Sequence, residues 1–185
     1  MIIRKANVND SKAIAEILML VMDTIIFEFI GDDSMEKAKS FLESWVSKKA
    51  NQYSYQNCWV ADSGEAIVGV VNVYDGTDYQ RLRVPIMAEI STRFHTNITL
   101  ENETENGEIY IDSIGVSPEF QGKGIGSKLL NYLIGAYAHK HRTTIGLLVD
   151  VDNFGAHRLY QRLGFVKVGD KVFCGKKMEH LQLKF

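Results

Sequence analysis

Apolar residues recur along the chain with two different periods, which indicates a mixture of helices and strands. In the first 50 residues the apolar positions follow helical spacing, and two amphipathic helices are predicted, one ending before Gly31 and one capped by Ser34. Further helices are predicted directly after the glycines at 122–126 and from Asn153 to Gly164. Short apolar runs predict seven strands, at 2–6, 58–61, 66–73, 108–116, 144–151, 165–168 and 172–181.

The order of these elements predicts one mixed sheet covered by helices. Residues 108–151 run strand, loop, helix, strand, which requires a parallel crossover, whereas the last two strands look antiparallel. A length of 185 residues suits one unit, so we expect 1–185 to form a single α/β domain. Within it, 74–107 is a long connection of weak pattern: 84–90 fits a helical turn or a strand, and 99–107 is polar and acidic.

Composition and charge narrow the range of partners. The chain is 45% hydrophobic and 24% charged, as ordinary globular proteins are. Residues 1–116 carry 10 Lys and Arg against 18 Asp and Glu, whereas residues 117–185 carry 11 against 5. An acidic half suits a cationic ligand and a basic half a polyanionic one, although scattered surface charge would give the same counts. Because no basic stripe is interleaved with aromatic residues, we expect no nucleic-acid partner.

The chain start and the cysteines indicate the compartment. The first residues lack the pattern of a secretory leader, and Asp23 and Glu28 interrupt the longest apolar run, at 17–29. We therefore expect a cytoplasmic protein with no membrane partner. Cys58 and Cys174 are too few and too far apart in sequence for a disulfide framework or a zinc site, so no metal is expected. A homodimer stays open.

Three alternating glycines lie between a predicted buried strand and a predicted helix. Gly122, Gly124 and Gly126 let backbone amides approach a ligand, and a helix N-terminus adds partial positive charge, so the loop suits a pyrophosphate. A dinucleotide fingerprint G-x-G-x-x-G would need glycine where Ser127 stands, and no Walker sequence is present. A glycine-rich helix entry without a ligand is the alternative.

Two blocks of residues resemble the GCN5-related N-acetyltransferase (GNAT) superfamily. Gln121, Gly124 and Gly126 fit its Q/R-x-x-G-x-G/A motif. The second block fits the pattern N-x-x-A-x-x-x-Y-x-x-x-G-F, and it consists of Asn153, Ala156, Tyr160, Gly164 and Phe165. The resemblance covers about 105–175 well and implies a GNAT-like α/β/α sandwich whose mixed sheet is splayed at its centre.

The resemblance also implies how acetyl-CoA, the acyl donor, would bind. Backbone groups near Ile114 and Val116 would contact the pantetheine arm and the acetyl carbonyl, and Asn153 would contact the cofactor, although Asn153 serves equally well as a helix cap. The loop that would bind the pyrophosphate consists of Gln121, Gly122, Lys123, Gly124, Ile125, Gly126 and Ser127.

Tyr160 is the candidate general acid for acetyl transfer to a primary amine. The family's tyrosine at this position protonates or hydrogen-bonds the CoA sulfur, and a phenol of pKa about 10 can donate at pH 7. The other interpretation is a core aromatic residue on a short helix. A non-catalytic acyl-CoA-binding or sensor module is the alternative function.

The candidate general base lies on the strand before the loop. Glu108, Tyr110 and Asp112 alternate, so their side chains share one face. We favour Asp112 as the base, with a structural hydrogen-bonding role as the alternative, and expect Glu108, Tyr110 and Glu28 to contact the substrate. Four glutamates at 101, 103, 105 and 108 suggest a small cationic amine as the acceptor.

Overall fold

A seven-stranded mixed sheet organises the computed structural model, which describes residues 1–96 and 98–185. The strand order is β1-β2-β3-β4-β5-β7-β6. Neighbouring strands are antiparallel except β4 and β5, which are parallel as the predicted crossover requires. The strands are β1 Ile2–Lys5, β2 Cys58–Asp62, β3 Ile67–Asp75, β4 Glu108–Val116, β5 Thr144–Asp150, β6 Val166–Phe173 and β7 Lys176–Leu183.

Helices cover both faces of this sheet. The helices are α1 Ser11–Ile30, α2 Met35–Val46, α3 Tyr79–Glu89, α4 Ile125–Leu133 and α5 Phe154–Arg162. One apolar core lies under α1, α2 and α3, and a second lies under α4 and α5. The predicted boundaries at Gly31 and Ser34 are confirmed: Gly31 ends α1 with φ of 62°, and the Ser34 side chain accepts from the N–H of Lys37. The predicted α/β/α sandwich is therefore confirmed.

The connection of weak pattern contains a helix. Of the two interpretations of 84–90, the helical one is correct, because this stretch lies within α3 and its π-helical continuation Ile90–Phe94. Pro85 stands inside α3, and a proline removes one helical hydrogen bond, so local sequence signals were ambiguous there. The last part, 98–107, has no regular secondary structure, but side chains hold it against the sheet.

Three hydrogen bonds fix that irregular segment in place. The Arg83 guanidinium donates to the carbonyls of Leu100 (3.2 Å) and Glu101 (3.4 Å), and the Thr104 hydroxyl donates to the carbonyl of Gly76 (2.9 Å). A Cβ atom on Gly76 would lie 2.5 Å from the carbonyl oxygen of Glu105, so only glycine allows this approach. The segment is thereby held beside the N-terminal end of β4.

The sheet opens between β4 and β5. These strands pair from Glu108 with Thr144 to Ile111 with Leu147, and both then continue without pairing to each other. On the other side of β4, Asn72 of β3 lies opposite Ser113 and Val73 opposite Ile111, so Asp112 is the extra residue of a β-bulge. Because a bulge bends its strand, β4 leaves β5 at this point. We call this opening, whose apex is the pair of Ile111 and Leu147, the fork.

Candidate active site

The glycine loop presents an open surface lined with backbone. Gly122 and Gly124 have φ of 72° and 76°, in the left-handed region, and a Cβ atom on either would meet nothing within 4 Å. Gly124 precedes α4, whose first turn receives no side-chain cap. The first N–H groups of α4 therefore have no partner in the helix. They point outwards at the positive end of the helix dipole, as an anion site requires.

The residues of the loop take different positions. Gln121, Gly122, Lys123 and Gly124 are exposed, and the Lys123 ammonium lies 4.8 Å from the ring centre of Phe120. Ile125 is the exception, because its side chain is 4% exposed and belongs to the core under α4. A ligand at the loop would therefore contact only the backbone of Ile125.

A side-chain hydrogen bond ties the loop to β4. The Gln121 amide donates to the carbonyl of Val116 over 3.0 Å, so the backbone groups of Val116 point away from β3. Because backbone direction repeats every two residues along a strand, those of Ile114 also point towards the fork. The structure thus brings Ile114, Val116 and the loop to one edge, where the carbonyl of Val116 already has a partner.

The second sequence block forms both ends of α5. The Asn153 carboxamide oxygen accepts from the N–H of Ala156 over 3.1 Å, which makes Asn153 the N-cap and leaves its NH2 group for another partner. At the other end Gly164 has φ of 92°. Its N–H donates to Gln161, and the N–H of Phe165 donates to Tyr160, both over 3.0 Å. These two bonds are a Schellman motif, which explains the glycine and the residue after it.

This helix end fixes the position of Tyr160. The Phe165 ring meets the Tyr160 ring edge-on at 5.8 Å between centroids, the apolar contact that accompanies a Schellman motif. Tyr160 is 7% exposed and shares the core under α4 and α5 with Ile111 and Leu147, the pair at the apex of the fork. Burial raises the pKa of Tyr160 to about 12, so its hydroxyl stays a proton donor across the neutral range.

Asp112 lies at the apex of the fork, on the face opposite Tyr160. Its side chain is partly exposed, and both carboxylate oxygens accept from the Gln52 amide, over 3.3 and 3.2 Å. Burial, and then the charge of Glu103, raise the pKa of Asp112 well above its usual value, whereas the Gln52 hydrogen bond lowers it. A carboxylate with raised pKa is a stronger base than an ordinary aspartate.

Glu103 is a site residue that the sequence patterns did not single out. It comes from the irregular segment 98–107, is 6% exposed, and accepts from the Tyr110 hydroxyl over 3.0 Å and from Gln52 over 3.5 Å. Burial raises its pKa, and hydrogen bonds from neighbouring groups oppose that rise. The run of glutamates signalled negative charge here, but no periodicity could show which of them turns inwards.

The structure separates the other predicted substrate contacts. Glu108 is 1% exposed, and its carboxylate meets His180 (3.0 Å), Gln182 (2.8 Å) and the N–H of Glu105 (2.8 Å). Since a Cβ atom on Gly146 would lie 1.9 Å from one oxygen of Glu108, the carboxylate fills a closed space on β5. This placement argues for a structural role of Glu108 rather than the expected substrate contact.

The structure places Tyr110 against Glu103, and Glu28 near Cys174. Tyr110 is 1% exposed, and its hydroxyl donates to the Glu103 carboxylate, so Tyr110 helps to hold that carboxylate in place. Glu28 is exposed near the end of α1. Burial, and then the charge of Glu28, raise the pKa of Cys174 to about 12, which indicates that Glu28 faces the same acidic region.

Three buried polar atoms around the bulge have no hydrogen-bond partner in the described residues. They are Oδ1 of Asn72, the hydroxyl of Tyr74 and Oγ of Ser113. The strand register places Asn72 opposite Ser113 and Tyr74 opposite Tyr110, on the face that carries Asp112. Buried polar groups are normally paired, so this face of the bulge suits a polar ligand.

The described residues hold neither a membrane-spanning helix nor a cluster of metal ligands. Among the helices in 1–96 and 98–185, none combines the length and apolar character needed to cross a membrane. The same residues contain no group of three or more His, Cys, Asp or Glu side chains placed to hold a metal ion.

Known proteins resemble this chain in sequence over part of its length. The sequence model of the Acetyltransferase (GNAT) family matches residues 21–165. Spermine/spermidine N(1)-acetyltransferase of Bacillus subtilis is 35% identical over 79 residues, which are 42% of this chain and 52% of that protein. Mycothiol acetyltransferase of Gordonia bronchialis is 37% identical over 78 residues, 42% of this chain and 25% of that protein. The matches thus span about half or less of these relatives.

Solved structures resemble it along its whole length. A crystal structure described as an acetyltransferase superimposes with a TM-score of 0.84 at 28% identity, covering 100% of this chain and 99% of that one. An N-acetyltransferase from Staphylococcus aureus Mu50 superimposes with a TM-score of 0.88 at 22% identity, covering 99% and 100%. At 22% identity, the second superposition shows that the two proteins share a fold.

Proposed function

The chain belongs to the GNAT family of acetyltransferases, and from this premise we propose that it transfers the acetyl group of acetyl-CoA to a primary amine of a small cationic molecule. The observation that carries the proposal is the position of Asp112. This half-buried carboxylate, with a raised pKa, stands at the apex of the fork between two strands that the family uses for acetyl-CoA. It is therefore well placed to deprotonate an acceptor there.

The loop after β4 fits the pyrophosphate of acetyl-CoA. Gly122 and Gly124 leave open space where a side chain would stand, and the first N–H groups of α4 are free to bind phosphate oxygens. Lys123 adds a positive charge on the same exposed loop. At the edge of β4, the N–H groups of Ile114 and Val116 would bind the pantetheine arm and the acetyl carbonyl, and the free NH2 group of Asn153 offers one more donor.

Transfer to an amine forms a C–N bond and breaks the thioester C–S bond, which needs a neutral amine, donors for the oxyanion and a proton for sulfur. An alkylammonium of pKa about 10.4 is neutral in roughly one molecule in 2,500 at pH 7, which costs about 4.6 kcal/mol. Asp112 supplies a base within the site: it accepts one ammonium proton before the attack, so the abundant ammonium form can bind and then react. The N–H of Ile114 donates to the developing oxyanion.

Tyr160 then donates its phenolic proton to the departing sulfur, and the second nitrogen proton restores the phenol. Asp112 releases its own proton to solvent at the end of the cycle. Each turnover therefore gives one acetamide, one thiol and one free proton, and both protein groups return to their starting states.

Negative charge around the fork supports a cationic acceptor. Asp112 lies at the apex of the fork with Glu103 beside it, and the charges of Glu28 and Glu101 act on the thiol of Cys174. Such a concentration of carboxylates attracts ammonium groups. The name of the Bacillus subtilis relative, a spermine/spermidine acetyltransferase, agrees with this chemistry.

An amine panel tests the proposal directly. Acetyl-CoA is supplied with spermidine, an aminoglycoside and lysine methyl ester as cations, and with neutral and acidic primary amines, while thiol release is followed. We expect turnover on at least one cation and little on the acidic amines. Turnover on neutral or acidic amines alone would contradict the charge inference. CoA binding without turnover on any amine would favour a non-catalytic acyl-CoA-binding module.

Replacement of Gly124 by alanine should raise the KM for acetyl-CoA about tenfold, because a Cβ atom here stands where the pyrophosphate approaches and one lost contact costs roughly 1–2 kcal/mol. The kcat on a saturating amine should change little. Steady-state kinetics with varied acetyl-CoA provides the measurement.

Gly64→Ala is the matched control for that substitution. Gly64 also has a positive φ, of 95°, and open space around its Cβ position, but it lies in the turn between β2 and β3. Both variants should lose a similar stability of about 1 kcal/mol, since alanine is strained at positive φ. An equal rise of KM in both would show that backbone strain, not ligand contact, is responsible.

A further inference from the structure

Two acidic side chains from distant parts of the chain meet beside the fork. Asp112 belongs to the bulge of β4, and Glu103 belongs to the irregular segment that precedes this strand. The Gln52 amide nitrogen lies 3.2 Å from an oxygen of Asp112 and 3.5 Å from one of Glu103. The two carboxylates are therefore within about 7 Å of each other, where like charges interact strongly in a protein interior.

Glu103 is held firmly and is not part of the surface. Tyr110 donates to it from β4, and Arg83 of α3 holds the neighbouring carbonyls of Leu100 and Glu101. The Arg83 guanidinium also contacts the Tyr79 hydroxyl at 2.5 Å. Hydrogen bonds from several elements thus hold one carboxylate beside another. Burial alone disfavours such an arrangement of like charges.

We propose that Glu103 is a positioning residue for catalysis: its negative charge beside Asp112 makes the ionised pair take up one proton more readily than a lone carboxylate would, so that Asp112 is a base strong enough to deprotonate an ammonium group. This inference rests on the proposed function, in which Asp112 accepts that proton. Two neighbouring carboxylates cannot both ionise as easily as one alone, so the second of their two titration steps is displaced to higher pH.

The partnerless atoms around the bulge give independent support. Asn72 offers a carbonyl oxygen, and Tyr74 and Ser113 offer hydroxyl oxygens, all buried and without a hydrogen bond in the described residues. These oxygens can accept from the N–H groups of an ammonium ion that lies against Asp112. The pair and these acceptors lie on one face of the bulge, and this is where we place the reacting nitrogen.

The phenols and thiols around the pair stay protonated near neutral pH. Burial raises the pKa of each neighbouring phenol, so these remain protonated: Tyr53, Tyr74, Tyr79 and Tyr110. Burial raises the pKa of the thiols of Cys58 and Cys174 to about 12. Arg83 is the positive group that acts on Glu103, and Glu28 and Glu101 are negative charges near Cys174. Glu103 and Asp112 are therefore the two carboxyl groups in this cluster whose pKa burial raises.

The pH dependence of kcat/KM distinguishes positioning from mere structure. The acid limb of the profile reports the last ionisation of the pair. In Glu103→Gln the repulsion is gone, so Asp112 ionises at lower pH, and the acid limb should move down by about 1 to 2 pH units. The rate on the plateau should fall because the base is weaker.

Two further variants make that result specific. Glu105→Gln, in the same acidic segment but exposed and paired with Lys171 at 2.7 Å, should leave the limb in place. Glu103→Asp keeps the charge and should hold the limb within a few tenths of a pH unit of wild type. The profile is measured with spermidine, or with the panel amine that turns over fastest.

Carboxyl carbon NMR keeps the test independent of turnover. In wild type the Asp112 carboxyl should titrate in two steps and in Glu103→Gln in one step at lower pH. An unshifted Asp112 titration in a folded Glu103→Gln variant would overturn the inference. If wild type acetylates no amine, the proposed function fails instead, and the NMR titration still decides whether the two carboxylates are coupled.

Discussion

Tyr160→Phe should lower kcat about 10²- to 10⁴-fold, the range that a general acid contributes. The thiolate would then depart without a proton from the protein. Because the ring packs on Phe165 and the hydroxyl alone is removed, the fold should persist, and the KM for acetyl-CoA should change little. Thiol release at saturating amine measures kcat, and circular dichroism checks the fold.

Tyr137→Phe is the matched control. Tyr137 also packs against the core under α4 and α5, in the π-helical continuation of α4 at Ile134–His139, so the same atom is removed from the same core. Its kcat should equal that of wild type. If Tyr160→Phe retains full turnover while acetyl-CoA still binds, Tyr160 is a core aromatic residue and the acid is another group.

Asp112→Asn should lower kcat/KM about 10²- to 10⁴-fold at pH 7, because an amide cannot accept the ammonium proton. The deficit should shrink at high pH, where free amine becomes abundant in solution. Rates at pH 7 and pH 9.5 on the same amine provide the measurement. Asp170→Asn, whose side chain is 72% exposed and paired with Lys167, should be unaffected. A pH-independent deficit would indicate a structural role of Asp112.

The same substitution should not destabilise the protein. The folded pKa of Asp112 is raised above its unfolded value of about 3.9, so the folded state binds its proton more tightly. Stability then falls as pH rises from about 4 through the folded pKa, since ionisation favours the unfolded chain. The Asn variant escapes this loss, and its Tm relative to wild type should increase between pH 5 and pH 8. A Tm difference that stays constant with pH would contradict the raised pKa.

Local sequence signals sufficed for the glycine loop and for the two ends of α5. The residues of the second sequence block shape the ends of α5. Asn153 caps its start, Gly164 adopts the left-handed conformation after its end, and Phe165 packs back on Tyr160. These structural roles depend on neighbours within a few residues, so spacing alone predicts them. The same holds for Gly122 and Gly124 in the loop.

The middle of the chain was harder to predict for a physical reason. Pro85 weakens the helical signal of α3, and 98–107 contains no period because its backbone is held by side chains of distant residues. Whether Glu103 or Glu105 turns inwards depends on Tyr110 and Gln52, not on the order of residues between them. Glu108 likewise pairs with His180, 72 residues away, and is closed in by it.

The sequence by itself determined the order of helices and strands, the glycine loop, the helix that carries Tyr160 and the shared face of Tyr110 and Asp112. Only the tertiary structure decided that Asp112 is a bulge at the point where β4 leaves β5, and that Glu103 lies beside it. Bulges and long-range pairings arise from strand register and packing between distant segments. Their free energy belongs to the assembled fold, so no stretch of sequence carries it alone.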